Sequence, residues 1–133
     1  MRVIDDSDSS WRRVAPAFVV DDPKHDSGVR PSSASFKNDS DGMSAYAGSL
    51  VHELQLTAAA VIHGKPNGWG VAEHAVAYLR HDEGQVVTHD PIISTPPPHP
   101  CDSAHILVIG EKDQARRERL ARNARWAVRP ERL

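Results

Sequence analysis

The sequence predicts an α+β domain: a small mixed or antiparallel sheet, one main C-terminal helix and long loops. Three observations carry that expectation. H-I-L-V-I at His105–Ile109 is a continuous apolar run stopped by Gly110, the pattern of a strand buried on both faces. Asp113 then opens a basic segment with Leu120, Ala121, Ala124 and Val128 on its packing side, which reads as a helix running to about Trp126 or Val128 and ended by Pro130. Upstream, short β-type runs alternate with stretches rich in Pro, Gly, Ser and Asp. A chain of 133 residues is one domain with room for a core, and an apolar share of 39% with 5% aromatics keeps that core modest.

The elements follow in order. Residues 1–10 are polar and acidic and read as a flexible tail, leaving 11–133 as the compact domain. Residues 11–20 (W-R-R-V-A-P-A-F-V-V) read as a first strand, and Pro16 inside it argues for a sheet edge. The polar stretch 21–42 is long for a compact domain, and Phe36 and R-P-S-S within it favour partial order. Met43–Ala47 reads as a short strand, 48–54 as a short helix capped near Ser49, and 57–62 as a strand or a buried apolar turn. After the K-P-N-G turn, W-G-V-A-E-H-A-V-A-Y-L-R has two mostly apolar faces. A strand and a helix compete there, and the short length favours a strand followed by a turn of helix. Q-V-V-T-H at 85–89 is a further strand, ending at Asp90-Pro91.

No apolar run approaches the ~20 residues of a membrane span. The acidic start lacks the apolar core of a secretory signal, and a single cysteine forms no internal disulfide; both point to a reducing, cytoplasmic setting. Charge is polarised along the chain. From Lys112 onward there are eight Lys or Arg against three Asp or Glu, a net of +5, which leaves −7 on residues 1–111. The arginines surround the expected helix without forming a stripe, and the acidic body repels nucleic acid. Neutralisation by the domain itself or by a protein partner is favoured.

Three groups of residues have chemical potential. His89, His99, Cys101 and His105 are metal-competent and crowded, but no zinc spacing is present, and the triple proline at 96–98 explains the segment as a stiff connector. The reading is no metal and no cofactor, with those four residues as the alternative. Arg30, Ser32 and Ser33, in G-V-R-P-S-S-A-S-F, form a second group. A guanidinium followed by hydroxyls suits a phosphate or carboxylate. The structural alternative pairs Arg30 with Asp21, Asp22 or Asp26 and uses Ser32 or Ser33 to cap a helical turn. The third is His105, at the mouth of its strand, which reads as an acid–base group or as a histidine bonded to a loop carbonyl.

The order R-P-S-S-A-S-F, G-M-S-A-Y, D-P and S-A-H-I-L-V-I-G-E-K before A-R-W-A-V resembles a family of small bacterial proteins. That family has an R-P-S-S-x-x-F loop and an H-A-x-V-x-G-K-K-like strand ahead of a basic C-terminal helix. The resemblance spans residues 11–128 and rests on Arg30, Pro31, Ser32, Ser33, Phe36, Ser44, His105 and Gly110. Ala45 and Glu111 depart from it, and His99 and Cys101 lie outside it. It implies one α+β domain in a bacterial cytosol and carries no activity. The sequence thus leads to a non-catalytic binding or interaction module with a protein partner. The alternative is an enzyme or sensor for a phosphorylated or nucleotide-like ligand, held by Arg30, Ser32 and Ser33 with His105 as acid or base, provided all four share one cleft.

Overall fold

The run His105–Ile109 does become a strand, and antiparallel pairing around it organises the chain. The structure, a computed structural model, describes residues 1–39, 41–93, 96 and 98–131. Along them run β1 (Ser9–Val14), β2 (Val19–Asp21), β3 (Val29–Pro31), β4 (Met43–Ala47), α1 (Gly48–Glu53), β5 (Gly70–Ala75), β6 (Val86–His89), β7 (His105–Ile109), α2 (Gln114–Asn123) and β8 (Arg125–Val128). Among the described residues, six strands form one antiparallel sheet in the order β6-β7-β4-β1-β5-β8, and β2 and β3 form a separate hairpin. The expected α+β class and the main helix near the C-terminus are present. The connector at 96–98 falls partly outside the described residues.

Register assigns the two faces of the sheet. Pairing of Ser10 with His74 and of Trp11 with Glu73 and Tyr46 sends alternate residues to opposite sides. The His74 face lies under α2: His74 Nε2 meets Leu120 O at 2.7 Å, and Phe36, fully buried, packs edge-on to the His74 ring. Burial holds the His74 imidazole below its ordinary pKa, so it stays neutral and donates to that carbonyl. The opposite face carries Trp11, Tyr46 and His105 under α1, the 3-10 turn Ala58–Ile62 and the turn Asp102–Ala104. A sheet with cover on both faces makes one continuous core, from Met43 and Ile106 to Val61 and Leu120.

Several expectations are corrected. The first ten residues are built in: Ile4 is 3% exposed, Ser9 and Ser10 start β1, and Asp6 binds Arg80 and His81. The first strand is central, between β4 and β5, because it ends at Val14 and leaves Pro16 in a 3-10 turn outside the ladder. Strand β7 is buried on both faces only at its start: His105, Ile106 and Val108 are buried, Leu107 is half-buried and Ile109 is exposed. Of the two readings for 57–62 the turn holds, as the 3-10 turn Ala58–Ile62 with Ala58 and Val61 buried, and β5 leads into a π-helical turn at Tyr78–Asp82.

The largest correction concerns the C-terminal helix. It ends at Asn123; Ala124 is extended (φ −72°, ψ 139°), and Arg125–Val128 joins the sheet as edge strand β8 beside β5. The neighbouring backbone explains the switch. Gly70 leaves a notch for Trp126, since a Cβ on Gly70 would stand 2.9 Å from the indole ring, and Trp126 Nε1 donates to Val29 O at 3.1 Å.

Candidate anion-binding cleft

Hairpin β2–β3 supplies one wall of the cleft. Its tip closes through Asp22 N to Gly28 O and Gly28 N to His25 O, both 2.9 Å, and Gly28 takes the positive φ (+78°) that the tight turn demands. Asp22 is committed twice: Oδ1 accepts from Lys24 N at 3.0 Å, and Oδ2 accepts from Arg30 Nε at 3.0 Å. Arg30 also donates from Nη1 to Pro31 O at 3.0 Å. The ion pair anticipated for Arg30 is therefore made with Asp22. Ser32 precedes the 3-10 turn Ser33–Phe36 in the N-cap position, without a side-chain cap bond.

The second wall is the corner where α2 becomes β8. His25 fastens the two walls together. Its Nε2 meets Ala124 O at 2.9 Å, and its Nδ1 faces the Ser27 hydroxyl at 3.0 Å, while Ser27 Oγ donates to Val29 O. Between the walls lies a cleft of about 1090 Å³ lined by Asp21, Asp22, Lys24, His25, Asp26 and Arg30 on one side and Arg122, Arg125, Trp126 and Arg129 on the other. A recess of about 190 Å³ continues from it, bordered by Arg30, Ser32, Ser33, Glu118 and Arg122.

The basic side chains of the C-terminal segment divide sharply by partner. Arg116 and Arg119 bind the buried Glu83 carboxylate, and Arg117 donates to Gln114. Lys112 Nζ, with three N–H donors, lies within 3.1 Å of four neutral oxygens, on Asn38, Gln85, Val108 and Gly110. Arg122, Arg125 and Arg129 are exposed, line the cleft and make no hydrogen bond or ion pair among the described residues. Asp26, at the hairpin tip, has none there either.

The structure places His105 elsewhere. It sits on β7 opposite Tyr46 and is 5% exposed, and its Nδ1 meets Asp90 O at 2.9 Å and Asp90 Oδ2 at 3.2 Å. It lines neither of the two clefts that Arg30 lines. Arg30, Ser32 and Ser33 border one recess. The histidine meant to work beside them is built into the sheet's other contacts.

The metal-competent group is likewise spent on backbone. His89 Nε2 meets Ser103 O at 2.7 Å, and its Nδ1 accepts from Arg2 N at 2.9 Å. His99 Nε2 meets Val61 O at 3.2 Å, and its Nδ1 accepts from Cys101 N at 3.0 Å. Cys101 is fully buried, and that burial pushes its thiol pKa up, away from the thiolate that a metal needs. Among the described residues no group of three or more His, Cys, Asp or Glu is placed to hold a metal ion.

Sequence reasoning missed Arg122, Arg125, Arg129 and His25 as a set. The signal was the spacing R-N-A-R-W-A-V-R, three arginines that survive the end of the helix and turn with the chain into β8. No protein-family model, curated protein or solved structure matches this chain.

Proposed function

We propose that this chain is a non-catalytic binding module, and that the arginine-lined cleft recognises a ligand bearing clustered oxyanions, whether phosphates or the carboxylates of a partner protein. One observation carries the reading: Arg122, Arg125 and Arg129 line one cleft without partners among the described residues, beside Arg30. Guanidinium groups match phosphate and carboxylate geometry with paired donors. Three unpaired cations in one cleft repel one another, and an anionic ligand relieves that repulsion. Ser32 and Ser33 border the adjoining recess and add neutral donors. A reducing bacterial cytosol, the setting expected for the chain, is consistent with a single buried cysteine.

The test is calorimetric titration with inorganic tripolyphosphate and with a hexaglutamate peptide, at low and moderate salt. At least one of the two binds and weakens with salt, and the triple substitution R122Q/R125Q/R129Q lowers its affinity at least tenfold while thermal stability stays near wild type. Exposed sites justify that stability expectation. Equal affinity in the triple variant, or no binding of either probe at low salt, refutes the reading.

A further inference from the structure

We propose a second ligand site, independent of the arginine cleft: a recess at the Tyr46 hydroxyl, between Arg13 and Lys65, that takes one small carboxylate- or phosphate-type anion. Tyr46 is 4% exposed, and its ring is held from several sides. His99 stacks on it at 5.4 Å with an interplanar angle of 23°, and His105 meets it edge-on at 5.5 Å. The Tyr46 hydroxyl is not itself a buried atom: it makes no hydrogen bond among the described residues, and Tyr46 borders a recess of about 240 Å³ shared with Arg12, Arg13, Asp39, Ser44, Lys65 and Trp69.

The sheet register creates this grouping. Trp11 pairs with Tyr46, so Arg13, two residues along β1, is a diagonal neighbour of Tyr46 on the same face. Arg13 also pairs with Val71, which brings in the Lys65 and Trp69 segment just ahead of β5. Each cation rests on an aromatic face: Arg13 Cζ lies 5.7 Å from the Tyr46 ring centroid, and Lys65 Nζ lies 4.9 Å from that of Trp69. Neither makes an ion pair among the described residues.

The remaining charges at the recess are committed. Arg12 donates to Ser35 O at 2.7 Å and Ser44 O at 2.6 Å, and it lies 3.9 Å from Asp39. Asp39 is thereby countered by Arg12, and the excess charge is that of Arg13 and Lys65. Burial holds the Tyr46 phenol above its ordinary pKa, so at neutral pH it is a donor. Two cations and a hydroxyl donor specify a ligand that accepts. The volume lies below the ~300–1,000 Å³ of drug-sized pockets, which selects a small acid.

The test is a heteronuclear NMR titration of the full chain with sodium acetate and, separately, inorganic phosphate. Saturable shifts are expected at Arg13, Ser44, Tyr46, Lys65 and the Trp69 indole N–H, for at least one of the two anions. Arg13→Gln should weaken that binding at least tenfold and Tyr46→Phe about fivefold, whereas R122Q/R125Q/R129Q should leave it unchanged. Tyr46→Phe removes one oxygen from an otherwise intact ring, and its spectrum reports directly whether the fold is kept. The exposed Lys65→Gln serves as a second variant that does not touch the core. Which anion binds more tightly decides between carboxylate and phosphate ligands. Shifts that fail to saturate with both anions, or binding insensitive to Arg13→Gln, Tyr46→Phe and Lys65→Gln, overturn the proposal. Loss of this binding in the triple cleft variant would reassign it to the arginine cleft.

Discussion

Glu83→Gln should cost about 2 kcal/mol of stability. The carboxylate is 2% exposed and accepts from Tyr78 Oη at 2.7 Å, from Arg119 Nη2 at 2.9 Å and Nε at 3.0 Å, and from Arg116 Nε at 3.3 Å. Hydrogen bonds to charged groups are worth roughly 1.5–3 kcal/mol each. The sum must be discounted, because the side chains of Arg119 and Arg116 are 48% and 26% exposed and regain water when the charge is lost. The amide of Gln keeps the volume and still offers an oxygen to Tyr78. For 133 residues, an unfolding entropy of about 2.1 cal/mol/K per residue turns 2 kcal/mol into a Tm drop of roughly 7 °C. Urea and thermal unfolding followed by circular dichroism measure it, and a cycle with Arg119→Gln should show that the two substitutions are not additive. The pH dependence gives a second check. Burial alone would raise the Glu83 pKa, but hydrogen bonds from Arg119 and Tyr78 outweigh it and hold the folded value below the ordinary range. Its contribution is therefore complete above that range and is lost as pH falls through the folded value; Glu83→Gln should flatten this limb. Stability within about 0.5 kcal/mol of wild type, or no coupling to Arg119, would refute the ionic reading of this contact.

Two further predictions concern other charges. Burial first, then Arg12 and Arg116, depress the Lys112 pKa to about 8 from 10.5. Between those values the unfolded chain binds the extra proton, so stability rises with pH across that window relative to Lys112→Met, as paired urea titrations at pH 7.5 and 10 should show. Asp26→Asn removes a carboxylate at the hairpin tip that has no partner among the described residues. A unit charge some ~8 Å from the ligand in a water-like dielectric is worth about 0.5 kcal/mol, so affinity for tripolyphosphate or hexaglutamate should rise roughly twofold by calorimetry.

What the sequence made legible was local. Strand β7 was readable because five residues of apolar pattern ended at a glycine, and the start of α2 because Asp113 is a good cap; its Oδ1 does accept from Arg116 N at 2.9 Å. The end of α2 was not readable. Leu120, Ala121, Ala124 and Val128 keep a helical spacing past Asn123, while the strand that replaces it is four residues long. The decision is made by β5, which lies some fifty residues earlier and offers a free edge with a notch at Gly70. The N-terminal segment failed as a prediction for the same reason. Its Asp6 and Asp8 look like solvated charges until Arg80, His81 and Ser49 arrive from distant parts of the chain. For the cleft, the Arg30 loop was legible as a motif. Its partners across the gap required knowing where the helix stops.

That stop also explains why Arg122, Arg125 and Arg129 have no ion pair among the described residues, in a chain with more carboxylates than Lys and Arg. Several carboxylates act as staples between segments far apart in sequence: Glu53 holds Arg2, Asp6 holds Arg80, and Glu83 holds Arg116 and Arg119, while Asp22 holds Arg30 within one hairpin. Each staple lies where two pieces of backbone must be fixed. A helix continued to Val128 would distribute its arginines around one axis. Ending it at Asn123 and turning into β8 sets Arg122, Arg125 and Arg129 along one corner, facing a hairpin whose Asp22 is already occupied. Like charges crowded this way are a cost to the folded state, which Asp22 and Asp26 across the cleft lessen without an ion pair to these three arginines among the described residues. A ligand that binds only the folded chain and brings negative charge to that corner recovers it, so binding and stability are linked at this one place.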